Sequence, residues 1–292
     1  MNRILFEKDE IVDGVATFGG ARAEHVLNVL HGEVGQVLKT GEVDGKIGTS
    51  EIVGICGTGI LPVQSKSEAT APGRTGETPV PQDGRGELRV TVRCRHDAES
   101  IRPWVDLILA PPRPRVMKRL LPQLATMGVG RIFLVGAKKV EKDFWGATLL
   151  KEENYRPLLI DGLMQAGASI LPVVETRRNF RKFVKEEVDE IWPEAKRIVA
   201  HPYGTGEDFR RETGDLRGIE TLDGRRGLKS KVSSPCPGLL LAVGPEGGWT
   251  DEEVALLEEH GFSRYSLGSR ILRTDTATIA LLAQLMKEFD KC

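Results

Sequence analysis

From Trp104 onward, short apolar runs alternate with amphipathic stretches. WVDLILA, residues 104–110, predicts a buried strand. PRVMKRLLPQLATMG predicts a helix ended by Gly128, and RIFLVG a second strand. RPLLIDGLMQAG predicts a helix with Pro157 in its first turn, where proline is tolerated. NFRKFVKEEVDEIW sets Phe180, Phe183, Val184, Val188 and Ile191 on one helical face, and Pro193 stops it. RIVAHP and GLLLAVG predict a third and a fourth strand, with a polar loop over 204–237 between them. A helix over 251–260, a strand at FSRYSLG and a last helix through ATIALLAQLMKEF complete the run. Strands alternating with helices imply an α/β fold with a mostly parallel sheet covered on both faces.

The first 56 residues are patterned differently. GQVLKTG and GKIGTSEIVGI pair short apolar runs with glycines, as in a small β-structure with tight turns. AEHVLNVL interrupts them with Val26, Val29 and Leu30 at helical spacing. Residues 57–87 are dense in Gly and Pro and carry a short tandem repeat, TGILPV then TGETPV. So polar a stretch buries too little to offset its ordering entropy, and a flexible insertion in a β-hairpin is expected. ELRVTVRCR, residues 87–95, then returns to the β-domain, placing the domain boundary near residue 97.

Composition narrows the class. The chain has 292 residues, 40% of them hydrophobic, enough for one large or two ordinary domains. No apolar run reaches the roughly 20 residues of a membrane span, and MNRILFEKDE has no signal-peptide core. Cys56, Cys94, Cys236 and Cys292 lack CxxC or metal spacing, so free thiols in a reduced cytoplasm are expected, with no metal site. A protein that merely coats nucleic acid is usually strongly basic, so the net charge of −1 gives that reading no help. Locally, Arg102, Arg113, Arg115, Lys118 and Arg119 face one acid, Asp106, and Arg177, Arg178, Arg181, Lys182 and Lys185 contain none. Each cluster reads first as a solvated helix face; together they could form a phosphate-contacting surface.

Chemistry concentrates near the C-terminus. In LLLAVGPEGGWTDEEV, residues 239–254, an apolar strand breaks at Gly244, Gly247 and Gly248, and an acidic helix follows. Thr250 and Glu253 have capping-box spacing, and Asp251, Glu252 and Glu253 suit the helix dipole. Ligands in open α/β sheets bind beyond the C-terminal strand ends. The loop lacks the GxxxxGK[ST] and GxGxxG spacings. Glu246 and the three acids beyond it would repel a triphosphate, so a neutral or cationic nucleoside against bare backbone fits better. An ordinary β-to-α turn remains the competing reading. YSLGSRILRTDTATIALLAQL then places Arg270 and Arg273 in a polar elbow between a strand and an apolar helix. A structural arginine pairing with Asp275 is the alternative there. Ile279, Leu282, Leu285 and Met286 share a helical register that could pack within the domain or on a second subunit.

VGPEGGWTDEEV followed by LGSRILRTDTA resembles the paired signature of the SPOUT methyltransferases, and more narrowly the bacterial 16S ribosomal RNA uracil-N3 methyltransferases, with Asp275 where that family usually has Glu. MNRILF and EHVLNVLHGEVGQ are similar to the family's N-terminal region, and RIVAHP to its mid-domain strand end. The resemblance implies a PUA-like β-barrel that binds RNA over residues 1–96 and a trefoil-knotted SPOUT domain over 97–292. It also implies S-adenosylmethionine as methyl donor, ribosomal RNA as substrate and a homodimer formed through the C-terminal domain. Mapped onto this chain, the cofactor pocket would comprise His201 and Pro202, Gly244, Pro245, Glu246, Gly247 and Gly248, then Leu267, Gly268, Ile271, Leu272, Arg273 and Thr276. Arg273 or Arg270 would be catalytic, steadying charge on the uracil oxygens as the N3 proton leaves.

The chain departs from the pattern elsewhere. Where the family carries Glu-Gln, one or two small residues and Arg, it has Met164-Gln165-Ala166-Gly167-Ala168-Ser169. The Glu-Leu-Gly-Val of the family is Thr126-Met127-Gly128-Val129, and VLR is VLH, ending at His31. The lost charges fall in regions that the resemblance gives to substrate RNA, and the cofactor motifs are better preserved. Competing readings are a non-catalytic RNA-binding factor that retains the pocket, methylation of a different RNA, and an α/β enzyme using another nucleotide.

Overall fold

The structure is a computed structural model that describes residues 2–57, 88–202 and 238–289. Apart from Gly57, the expected insertion at 57–87 lies outside the described residues, and so does the loop expected over 204–237. The chain divides into two compact units, one of Phe6–Glu42 and Lys46–Ala98, the other of Met1–Leu5, Val43–Gly45 and Glu99–Cys292.

The smaller unit is built on strands. β1 (Ile4–Phe6, of which Phe6 alone falls in this unit), β2 (Ile11–Val12), β3 (Val15–Phe18), β4 (Val37–Glu42), β5 (Ile47–Cys56) and β6 (Arg89–Ala98) form a sheet in the order β1-β4-β5-β6-β3-β2. The β2–β3, β3–β6, β4–β5 and β5–β6 pairs are antiparallel. The helical piece differs from expectation. It is a short α-helix, Gly20–Glu24, that widens into a π-turn over His25–Val29. Ala23, Val26 and Leu27 are buried, whereas Val29 and Leu30 are exposed. The change of period from 3.6 residues rotates the apolar stripe away from the predicted positions.

The larger unit carries a parallel sheet in the order β12-β10-β11-β7-β8-β9. Its strands are β7 (Val105–Leu109), β8 (Val129–Val135), β9 (Val173–Arg177), β10 (Lys196–Ala200), β11 (Leu239–Val243) and β12 (Phe262–Tyr265). All five neighbouring pairs run parallel. Every residue of β7 and β11 is buried, as strands covered on both faces require. Alternate side chains enter two cores. Leu107, Leu109 and Leu241 pack with the helices Pro114–Thr126, Glu152–Ala166 and Thr274–Phe289. Ile108, Leu240 and Ala242 pack on the other face with Phe180, Phe183, Val188, Val254 and Leu257.

Several elements differ in detail from the sequence reading. β9 was not among the expected strands. The helix expected from Arg156 begins at Glu152, which puts Pro157 inside it rather than in its first turn. The stretch 179–192 forms two short helices, Phe180–Glu186 and Val188–Ile191, that meet at Glu187. Gly162 allows the first two helices of the unit to touch through backbone, since a Cβ there would stand 2.1 Å from the Pro122 carbonyl oxygen. Thr126 Oγ1 donates to the Gly162 carbonyl oxygen across this contact at 3.0 Å.

Candidate functional site

Three loops leave the C-terminal ends of β10, β11 and β12. The His201 backbone N–H donates to the Tyr265 carbonyl oxygen at 3.0 Å, so the ends of β10 and β12 stay paired. One residue on, Ser266 Oγ donates to the Pro202 carbonyl oxygen at 3.1 Å. The β11 loop joins them through the last helix, whose buried Thr274 hydroxyl donates to the Gly244 carbonyl oxygen at 3.4 Å. His201, Pro202, Gly244 and the 266–274 elbow are therefore brought together by parallel pairing of neighbouring strands.

The glycine loop has a defined shape. The Gly248 N–H donates to the Pro245 carbonyl oxygen at 2.8 Å, and Gly248 has φ +69°. Gly244 is packed rather than open: a Cβ there would meet the Trp249 backbone nitrogen and indole at 3.1 Å. Trp249 is buried and stacks on Phe180, with ring centroids 5.1 Å apart. Among the described residues its indole nitrogen has no hydrogen-bond partner. At Gly248 and Gly268 nothing among the described residues lies within 4 Å of a Cβ position, and Gly268 has φ +113°. At these two positions the backbone itself forms the open surface, in a conformation that excludes most side chains.

Residues distant in sequence fix this loop. Lys139, after β8, donates through Nζ to the Gly247 carbonyl oxygen at 2.8 Å and to that of Trp249 at 3.4 Å. Glu253 is nearly buried and reaches both ways. It accepts from the Thr250 N–H at 2.9 Å, which completes the expected capping box, and from the Lys138 N–H at 2.7 Å. Nothing in the sequence singled out Lys138 or Lys139, because their partners lie more than a hundred positions away.

The arginine elbow is exposed. Arg270, Ile271, Leu272 and Arg273 all face solvent, as does Thr276, whereas Leu267 is half-buried. Arg273 Nε lies 3.7 Å from an Asp275 carboxylate oxygen, and Arg119 reaches the other oxygen at 3.4 Å. Asp275 thus stands between two arginines, one from each expected functional stretch. Arg113 is likewise paired, through Nε and Nη2 to Glu141 at 3.2 Å and through Nε to Glu246 at 3.7 Å. The second basic cluster is largely neutralised: Arg177 binds Glu175 and Glu187, Arg181 binds Glu252 and Lys182 lies near Glu186. Among the described residues no group of three or more His, Cys, Asp or Glu could hold a metal ion.

The RNA methyltransferase domain family matches this chain over residues 99–286, which include all of these loops. The chain belongs to that family. It is 27% identical over 289 residues to the ribosomal RNA small subunit methyltransferase E of Treponema pallidum, covering 98% of this chain and 91% of the relative. It is 45% identical over 211 residues to the protein of that name from Mesomycoplasma hyopneumoniae, covering 72% and 79%. Among solved structures it resembles the Neisseria gonorrhoeae ribosomal RNA small subunit methyltransferase E, bound there to S-adenosyl methionine. The TM-score is 0.60 at 19% identity, with 98% of this chain and 97% of the other covered. The mixed α/β fold with a parallel sheet is thus that of the SPOUT-type RNA methyltransferases, as the paired C-terminal motifs implied.

Proposed function

We propose that the protein is an S-adenosylmethionine-dependent methyltransferase acting on N3 of a uridine in small-subunit ribosomal RNA. The observation that carries this reading is the joining of the β10, β11 and β12 loops around two open, positive-φ glycines, Gly248 and Gly268. Such a surface suits a nucleoside held by backbone groups. Exposed Glu246, Asp251 and Glu252 favour a cationic ligand over a phosphate chain. His201 and Pro202, the loop from Gly244 to Gly248, and Leu267, Gly268, Ile271, Leu272, Arg273 and Thr276 would hold the cofactor, which supplies an activated methyl group when bound. The relatives' names and the cofactor bound to the gonococcal structure support this choice.

The residues of the chain then have separate tasks. Lys139 and Glu253 fix the glycine loop before any ligand arrives, which lowers the ordering cost of binding. Arg273, with Arg270 beside it, offers guanidinium donors to a carbonyl oxygen that gains charge as N3 loses its proton. Among the described residues Asp275 meets the exposed Arg273 side chain at a long 3.7 Å, which leaves guanidinium donors for substrate. In this reading residues 1–96 form a PUA-like RNA-binding barrel, residues 97–292 carry the trefoil knot, and the enzyme is a homodimer. Ile271 and Leu272, exposed on the elbow, support a partner surface there.

The test is Arg273→Ala. Turnover should fall roughly 100- to 1,000-fold, far more than calorimetric affinity for S-adenosylmethionine falls. Equal losses in both would assign Arg273 to binding alone. Mass spectrometry of ribosomal RNA from cells lacking the gene should show one unmodified uridine. An unchanged RNA would favour the second reading, a factor that retains the pocket and acts on another RNA or not at all. One observation supports that second reading. In the region where the family carries a charged substrate residue, Ser169 is fully buried and occupied internally, donating to the Gly45 carbonyl oxygen at 2.6 Å.

A further inference from the structure

A separate cleft of about 190 Å³ opens between the loops that follow β7, β8 and β11. Pro111, Pro112 and Pro245 wall it, and Arg113, Lys139, Glu141 and Glu246 line it. It is smaller than the roughly 300–1,000 Å³ of pockets for drug-sized ligands, which limits its occupant to about one planar ring system. Its charges balance, two cations against two carboxylates, so nothing in it favours a phosphate. Lys139 is already committed to the glycine-loop carbonyl oxygens. Arg113 is held differently. Its partners are exposed carboxylates at 3.2 and 3.7 Å, and exposed ion pairs of this kind are worth about 0–1 kcal/mol. A ligand can therefore take its donors cheaply.

We propose that this cleft seats the acceptor base, with pyrrolidine rings against its face and Arg113 donating to a ring carbonyl oxygen. The cleft then presents a donor, Arg113, beside acceptors, Glu141 and Glu246. An uncharged imide edge, with a carbonyl next to an N–H, is complementary to that arrangement. The exocyclic amine of cytosine would instead meet the guanidinium donor to donor. Glu246 also belongs to the glycine loop assigned above to the methyl donor, so the two sites share a wall. The inference rests on that assignment and adds the substrate subsite to it.

The experiment uses the full chain with small-subunit ribosomal RNA transcribed with 4-thiouridine in place of uridine. After irradiation, cross-linked peptides should map to 111–114, 139–144 or 245–247. In parallel, Arg113→Ala should lower kcat/KM for RNA about 10- to 100-fold, the worth of one hydrogen bond to a charged group, mainly through KM. Its calorimetric affinity for S-adenosylmethionine should stay within twofold. Cross-links confined to other segments, or an Arg113→Ala enzyme within twofold of a wild type that does methylate, would overturn the subsite while leaving the proposed function standing. A wild type that transfers no methyl group to ribosomal RNA would overturn the proposed function, and this inference with it.

Discussion

Asp106 shows how much a single side chain organises beneath the site. It sits fully buried on β7, one strand from the glycine loop. Its carboxylate accepts from Trp192 Nε1 at 2.6 Å, from Arg131 Nε at 2.6 Å and from the Arg131 N–H at 2.8 Å. Trp192 in turn meets Phe133 edge-on at 4.9 Å, and the Arg131 guanidinium lies 4.9 Å from the Trp192 ring centroid. Removing one member of a buried ion pair leaves the other charge uncompensated, at a cost of about 3–5 kcal/mol. Asp106→Ala should lower the unfolding free energy by that amount, read as a lower urea midpoint at an unchanged m-value. The double variant Asp106→Leu with Arg131→Met should be less destabilised than Asp106→Leu alone, because no buried charge then lacks a partner. In sequence Asp106 counted as the lone acid facing a basic cluster. Its true partner lies outside that cluster, on the neighbouring strand, and only strand pairing brings them together. A charge inside the otherwise apolar run WVDLILA was the available signal.

At the scale of elements, what was legible depended on how completely each element buries its residues. β7 and β11 are buried along their whole length, so their apolar runs stand out from the polar sequence around them. β9 is an edge strand with half-buried and exposed positions, and VVETR reads as neither a buried run nor a clean alternation. For the Glu152–Ala166 helix the sequence points to a start at Arg156, because proline is favoured in a first turn. The acids Glu152 and Glu153, which suit the positive helix end, marked the true start. The capping box at Thr250 was fully local and therefore readable, down to the reciprocal bonds. Thr250→Ala should cost about 0.5–2 kcal/mol. The loss should lie towards the upper part of that range, since Glu253 also anchors Lys138 and would lose the Thr250 hydroxyl donor, keeping only the backbone N–H at the cap. Denaturant unfolding measures the cost, and a change below about 0.5 kcal/mol would mean that Glu253 holds the loop without the cap.

For the whole molecule, alternating strands and helices foretold a parallel sheet, but not the strand order that sets the ends of β10, β11 and β12 side by side. That order is a matter of long-range pairing, which local periodicity does not encode; the family motifs supplied it indirectly by naming the three loops together. The same separation between local and long-range information applies to charge. With a net charge of −1, attraction to a polyanion must come from a patch, and the two basic clusters looked alike in sequence. Folded, they differ. Arg181 and Lys182 have carboxylates within 3.8 Å, whereas Arg115 and Lys118 are exposed on the helix that follows Arg113. Each phosphate contact made to single-stranded nucleic acid contributes about 0.7 to the slope of log affinity against log salt. Replacing Arg115 and Lys118 together by alanine should therefore flatten the slope for RNA binding by about 1.4 and weaken binding at low salt most. The same change at Arg181 and Lys182 should leave the slope nearly intact, because the freed acids replace one neutral pair by another local charge without removing a phosphate contact. A fluorescence titration of all three proteins across a salt series decides it. If the second pair of substitutions flattens the slope and the first does not, the RNA path runs across the Phe180–Glu186 helix instead of past Arg113.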